Sequence, residues 1–424
     1  MGEDPSPTQL SRPLVRFVAP GVLIIVIGLL LDARLWRPDT IFTINENIQI
    51  AEAQAWWNGR LDLPERKWDS AFYEGRVYSH FPPLFSLLSA LIVPIFDGVP
   101  HGFIVAGIVA PVIALTYLLF LRRVKTPAWA VVLTLGLIGG TSVWPVMDKT
   151  LRGAGPYVVN QMLALLGMLL LLRESFGRRR VWMGGAGWLM AFLSRQLTIA
   201  YLIPLVWMAW NSAGEPTLYR KRRLLGVFFF VIAGGTCVAT LNRLKFGNPL
   251  ESGYRYLYAD RPADAFSRDA EHCGIFSFHY IPRNLYYANL GFPIVHRIES
   301  AGRQETRLTP NHMGTGIWWT SPLLLLLFPA LPKIWRDGTS RAWLMGAVIA
   351  CAGLMVYHST GFDQRGHNRY SLDYVPVLFA LIAPYAMEGR RRWLTLTLII
   401  AGIAYFDWLM KLPSLRVWST AMVG

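Results

Sequence analysis

Residues Gly102 to Leu121 read GFIVAGIVAPVIALTYLLFL, twenty residues without a single charge. At ~1.5 Å of rise per residue, a helix of this length reaches across the ~30 Å hydrocarbon core of a bilayer. Lipid offers no partner to backbone amides, so the stretch is predicted to be a transmembrane helix. The next block, AWAVVLTLGLIGGTSVWPV from Ala128 to Val146, repeats the pattern. Of the chain's 424 residues, 53% are hydrophobic and only 16% are charged, and the apolar ones are gathered in blocks of this kind. An ordinary soluble domain is thereby excluded, and an all-α polytopic membrane protein is expected.

The net charge of +15 raises the question of a nucleic-acid partner. The basic residues, however, fall in short runs between apolar blocks, which is how cytoplasmic loops are marked, so no nucleic acid is expected. Arg122/Arg123/Lys125, Arg173 with Arg178/Arg179/Arg180, Arg220/Lys221/Arg222/Arg223, Lys333/Arg336/Arg341 and Arg390/Arg391/Arg392 make seventeen basic residues on one side. The short connections on the other side hold Lys149, Arg152, Arg195, Arg365 and Arg369. Keeping the five basic loops inside forces Val181 to Trp210 to leave and return as two short spans that turn near Arg195. The same parity keeps LFSLLSALIVPIF (Leu84 to Phe96) from crossing, and its length agrees, since it is too short for a full span.

About 11 transmembrane helices follow. The organisation expected is a cytoplasmic tail (1–16), a first transmembrane helix retained as an anchor (17–31) and an outer loop with juxtamembrane helices (32–101). Further transmembrane helices (102–243), a large outer loop (244–316), a last set of transmembrane helices (317–410) and a C-terminal tail (411–424) complete it. In the first outer loop, TINENIQIAEAQAWWNG places Ile44, Ile48, Ala51 and Ala55 on one helical stripe and stops at Gly59, predicting a helix on the membrane surface. Cys237 and Cys351 sit in apolar blocks and Cys273 stands alone, so neither a disulfide frame nor a zinc pattern is visible.

Charged residues at mid-span mark transport pathways, and here they are nearly absent. Glu46, Asp69, Arg76, His80, Arg195, Arg369 and Asp373 instead map to the outer face, where a cleft at headgroup level would suit a substrate with a lipid tail and a polar head. Transfer from a lipid phosphate needs a carboxylate to take the acceptor's proton and cations to stabilise the departing phosphate. Glu46 or Asp69 can supply the first. Arg76, His80, Arg195 and Arg369 can supply the second, arginine because its planar fork matches phosphate.

These residues lie in motifs that resemble a known family. INEN followed by AEAQAWWNGRLDLP, then YEGRVYSHFPPLFSLL, is similar to the first outer loop of the GT-C glycosyltransferases, in their protein-mannosyltransferase-like branch. GWLMAFLSRQLTIAYLIPLVW resembles that branch's helix, Thr/Ser-Arg turn and helix, and FGNPLESGY and HNRYSLDYVPVLFALIAPY continue the likeness over most of the chain. The resemblance implies a polyprenyl-phosphate-sugar donor, a glycan, lipid or protein acceptor, and a multi-pass protein of a bacterial plasma membrane with its active site on the outer face. It implies an acidic residue in the first loop, at Glu46, as catalytic base or as a carboxylate associated with a divalent metal; Asp69 stands beside it as the second candidate acid, and Arg76, Tyr78, His80, Arg195, Arg369 and Tyr370 are the candidate substrate-binding residues. The family usually carries Asp where this chain has Glu46.

Plainer roles stand beside these. Thr43 to Glu46 also reads as a capping box, Asp69 as a turn former, and Arg369 with Tyr370 as an interfacial anchor. Arg195, a cation between two apolar half-spans, is hardest to explain without an anionic partner. His272, Cys273 and His279 match no standard metal spacing. A transporter or flippase of lipid-linked substrates is the competing function, opposed by the lack of mid-span charge and of inverted repeats.

Overall fold

The computed structural model describes residues 18–31, 42–67, 69–153, 155–177, 180–211, 217–257, 265–300, 303–311, 314–358 and 367–411. After α1 (Ala19–Leu31), the segment leading to the helical body carries strand β1 (Ile44–Asn45) and helix α2 (Ile48–Trp57). The hairpin β2 (Ser70–Tyr73) and β3 (Arg76–Ser79) follows, then α3 (Leu84–Phe96) and β4 (Val99–Pro100). The last of these returns to pair antiparallel with β1.

Two expectations for this segment need correcting. Ile44 pairs with Pro100 as a strand residue, so the helical stripe starts at Ile48 rather than Ile44. The helix is capped by Asn47, whose side chain accepts from the Gln49 and Ile50 amides, so Thr43 and Glu46 form no capping box. Asparagine is among the best N-caps, and Asn47 stands four residues beyond Thr43, directly before the apolar run. The stop at Gly59 is as expected, with φ of +69°. Nor does α2 simply float on the bilayer: Ile48, Gln49, Ile50, Glu52, Ala53 and Ala55 are all buried. The 13 residues of α3 make a helix ~20 Å long, short of a hydrocarbon core.

The helical body runs α4 (His101–Val124), α5 (Pro127–Gly139), α6 (Val143–Gly153), α7 (Pro156–Ser175) and α8 (Val181–Ser194). A 3-10 turn (Gln196–Tyr201) leads to α9 (Leu202–Trp210), and α10 (Thr217–Phe246) follows. The long segment after α10 adds α11 (Ala265–Cys273) and the antiparallel pair β5 (Ile294–Ser300) and β6 (Arg303–Thr309). The chain closes with α12 (Leu327–Arg336), α13 (Gly338–Met355), α14 (Val375–Ala386) and α15 (Arg391–Lys411).

Among the described residues, α4, α7, α10, α13 and α15 are each long and apolar enough to cross a membrane, which makes this an integral membrane protein. The shorter apolar helices are compatible with eleven spans. The block from Ala128 to Val146, expected as one straight span, is bent by 68° between α5 and α6. Gly140 ends α5 there, and Pro145 in the first turn of α6 lacks an amide to continue the ladder. A secondary departure from an all-helical chain, among the described residues, is the three small two-stranded sheets, all outside the long helices.

The centre of the body is α7, whose residues are buried along almost their whole length. It packs closely on α8 through glycine: a Cβ on Gly167 would lie 2.3 Å from the Gly187 carbonyl oxygen, and one on Gly187 would lie 2.6 Å from that of Gly167. Small residues at such crossings let two backbones approach within van der Waals contact, which is what holds helices together in lipid.

Candidate active site

The hairpin decides where two of the candidate residues go. Glu74 and Gly75 both have positive φ, 48° and 75°, the geometry of a tight two-residue turn. Its register pairs Ser70 with Ser79 at the open end. Asp69 immediately precedes β2 and His80 immediately follows β3, so the antiparallel register sets them side by side at the base of the hairpin. Asp69 takes a left-handed φ of 64°, which aspartate tolerates better than most residues.

Both line a cavity of about 510 Å³ whose other walls come from far along the chain. Tyr157 and Asn160 enter from the start of α7, Arg195 from the break between α8 and α9, Tyr254 from a 3-10 turn (Tyr254–Leu257), and Tyr357, His358, Arg369 and Tyr370 from the segment before α14. Asn160 is placed by a mutual amide contact with Gln49 of α2, its Nδ2 donating to Gln49 Oε1 at 3.0 Å. Gln49 in turn donates to the Pro82 carbonyl at 2.8 Å, which ties α2 and α7 to the chain beside His80.

Arg195 is in extended conformation where α8 ends, and Thr198 donates its hydroxyl to the Arg195 carbonyl at 2.7 Å, satisfying the broken helix end. Its guanidinium forks onto Asp373, with Nε donating to Oδ1 at 2.7 Å and Nη2 to Oδ2. The Tyr201 hydroxyl donates to the Asp373 carbonyl, locking the same junction from beneath. The anionic partner that the sequence demanded for Arg195 is therefore internal. Arg195 also faces the Tyr370 ring, 5.0 Å from its centre.

Arg369 is held differently. Its guanidinium carbon lies 4.2 Å from the centre of the Tyr157 ring and 5.0 Å from that of Tyr370, and its Nη2 donates weakly to the Tyr370 hydroxyl at 3.3 Å. It forms no ion pair among the described residues, and its Nε is buried without a hydrogen-bond partner. Aromatic stacking thus orients a guanidinium without neutralising it. The ring of His80 lies tilted against Phe81 at 4.4 Å and meets Tyr254 edge-on at 4.8 Å. Burial pushes the Tyr254 phenol up to about 12, with Tyr370 adding to the shift, so Tyr254 remains a hydroxyl donor through neutral pH.

Of the residues singled out in the sequence, the cavity brings together Asp69, His80, Arg195, Arg369 and Tyr370. Three lie elsewhere. Glu46 is exposed just ahead of α2 and does not line the cavity. Arg76 is exposed near the tip of the hairpin, and Tyr78 is buried against Phe246, their rings 5.6 Å apart. Tyr157, Asn160, Tyr254, Tyr357 and His358 were not singled out, because nothing local distinguishes them from other loop and interfacial residues. Asp373, mapped to the outer face, turns out to be the partner of Arg195. Among the described residues, no group of three His, Cys, Asp or Glu side chains converges to hold a metal ion.

No family model matches the chain, and no curated protein matches it. Among solved structures, it is similar to the crystal structure of ArnT from Cupriavidus metallidurans bound to undecaprenyl phosphate, with 13% sequence identity and a TM-score of 0.47. The match covers 91% of this chain and 63% of that one, so the chain spans less than two thirds of the length of its structural neighbour.

Proposed function

We propose that the protein is a GT-C glycosyltransferase that moves a sugar from a polyprenyl-phosphate-linked donor to an acceptor hydroxyl at the outer membrane face. One observation carries the reading: the cavity that gathers Asp69, His80, Arg195 and Arg369 adjoins an apolar groove. That groove, about 770 Å³, runs between α9 and α13 and is lined by Ile203, Val206, Trp207, Ala342 and Met345. Ile199 lines both spaces. A polar head would thus meet cations and a carboxylate while its tail lay along a hydrocarbon-like surface, which is the shape of a lipid-linked sugar.

In this reading the Asp69 carboxylate accepts the proton of the acceptor hydroxyl as its oxygen attacks the anomeric carbon. The bond from that carbon to the phosphate oxygen breaks, and its electron pair leaves with the polyprenyl phosphate. Arg369 is the first phosphate cation, because its charge is oriented but not spent on an ion pair. Arg195, already forked onto Asp373, completes the positive wall, and His80 contributes a ring N–H. Preorganised donors of this kind favour the charge that develops on the leaving group. Tyr157, Tyr254 and Tyr370 offer flat faces and hydroxyls to the sugar.

The test is to incubate the purified protein with a panel of polyprenyl-phosphate sugars and an acceptor mixture, following release of lipid phosphate and appearance of the sugar on acceptor. Release with transfer is expected for at least one donor. A donor that is bound but recovered intact throughout would point instead to a carrier of lipid-linked substrates.

A further inference from the structure

The strongest polar feature outside the cavity is a buried ion pair between Glu52 of α2 and Lys245 at the outer end of α10, their side chains 0% and 4% exposed. Ser86, in the first turn of α3, donates its hydroxyl to Glu52 Oε2 at 2.5 Å. Lys245 Nζ also donates to the Ser79 carbonyl at 3.0 Å. The next residue, Phe246, enters the hairpin's own small core, edge-on to Tyr73 at 5.9 Å and to Tyr78 at 5.6 Å. A buried pair of this sort is a poor way to add stability, because apolar residues of similar volume do as well or better. What apolar residues cannot do is donate to the Ser79 carbonyl.

That carbonyl belongs to the residue just before His80 and directly across the register from Ser70, which follows Asp69. We propose that Lys245, held by Glu52, is a positioning residue: it clamps the open end of the β2–β3 hairpin so that Asp69 and His80 stay presented to the cavity. The catalytic part of this inference rests on the transfer reaction proposed above, whereas the clamp itself does not. The arrangement joins α10, α2 and β3 at one ammonium, with α3 tied in through Glu52, so a long membrane helix, rather than the loop, sets the position of the hairpin base.

The test uses the full-length protein in nanodiscs and two double variants. Glu52→Met with Lys245→Met replaces the pair by apolar side chains and abolishes the donor, while Glu52→Gln with Lys245→Gln keeps a neutral N–H donor. Both avoid stranding one buried charge, so thermal unfolding close to wild type is expected for each and is measured first. Hydrogen exchange of the amides in β2 and β3 should then be at least tenfold faster in the Met/Met protein and within about threefold of wild type in the Gln/Gln protein. Turnover of the donor should fall at least tenfold in Met/Met and recover in Gln/Gln, with undecaprenyl phosphate binding lowered far less than turnover. Wild-type exchange in the Met/Met protein would overturn the clamp, and fast exchange with undiminished turnover would overturn its positioning role. If wild-type protein transfers sugar from no donor in the panel, the transfer reading falls, and the exchange measurement alone decides the clamp.

Discussion

A cation can be costly to bury or useful to bury depending on what faces it, and Arg195 and Arg369 illustrate the two cases within one cavity. Arg195 is satisfied by the two oxygens of Asp373, which is itself 3% exposed. Removing either partner leaves the other charge in a site with little water. Arg195→Ala or Asp373→Ala is therefore expected to cost about 3 kcal/mol or more of stability, seen as a clear drop in thermal unfolding temperature in detergent. Arg369 has no such obligation, so Arg369→Lys should leave unfolding nearly unchanged. It should weaken donor affinity about tenfold, because an ammonium keeps the charge but loses the fork and the stacking on Tyr157. Equal unfolding temperatures for the Arg195→Ala and Arg369→Lys proteins would contradict this division of roles.

The two acids separate in the same way. Asp69→Asn cannot accept a proton and should lower single-turnover transfer by about 10²- to 10⁴-fold, the usual scale of a general base. Glu46→Gln, exposed and outside the cavity lining, should transfer at close to the wild-type rate. A Glu46→Gln protein as inactive as Asp69→Asn would return the base to Glu46 and would require the segment around β1 to close over the cavity. Glu46 and Asp69 were equally legible as outer-face acids. Only the hairpin register, which sets Asp69 beside His80, tells them apart.

Among elements, α3 is the one whose role depends on length. Its 13 residues fall short of a bilayer core, and its N-terminal half is tied to α2 through the bond from Ser86 to Glu52. If it does not cross, the end of α4 faces the cytoplasm. Lys125→Cys should then react with a membrane-impermeant maleimide only after the cells are opened, while Glu74→Cys at the hairpin tip should react from outside. Labelling of both from outside would require α3 to be a span. The turn at Glu74 and Gly75 was not among the expected elements, since its local mark is no more than an acidic residue followed by a glycine. The bend between α5 and α6 was no more readable, because the apolar composition continues straight through it and only Gly140 and Pro145 betray the break. The break at Arg195 was readable for the opposite reason, since a charge interrupted an otherwise apolar stretch.

At the scale of the whole molecule, the cavity and the groove between α9 and α13 meet at Ile199, which lines both. If a polyprenyl tail lies there, affinity should rise with the number of isoprene units until the groove is filled, each buried methylene contributing about 0.8 kcal/mol at most. Ala342→Trp, which narrows the groove, should raise the KM for long-chain donors several-fold and leave a two-isoprene donor unaffected. A uniform change for both chain lengths would place the tail elsewhere.

What this sequence determined by itself was whatever depends on contiguous residues. Transfer of an apolar segment into lipid is nearly additive along the segment, so the blocks such as Gly102 to Leu121 announced helices, and the clustered arginines supplied the expected orientation. The expectation that Asp69, His80, Arg195 and Arg369 share the outer face followed from that order. What only the tertiary structure decided was which of these meet. Asp373 lies 178 residues from Arg195, and Glu52 and Lys245 are separated by nearly two hundred positions. Their contacts depend on how the long helices cross, through features such as the close approach at Gly167 and Gly187. A crossing angle is a joint property of two surfaces, so no stretch of either one contains it.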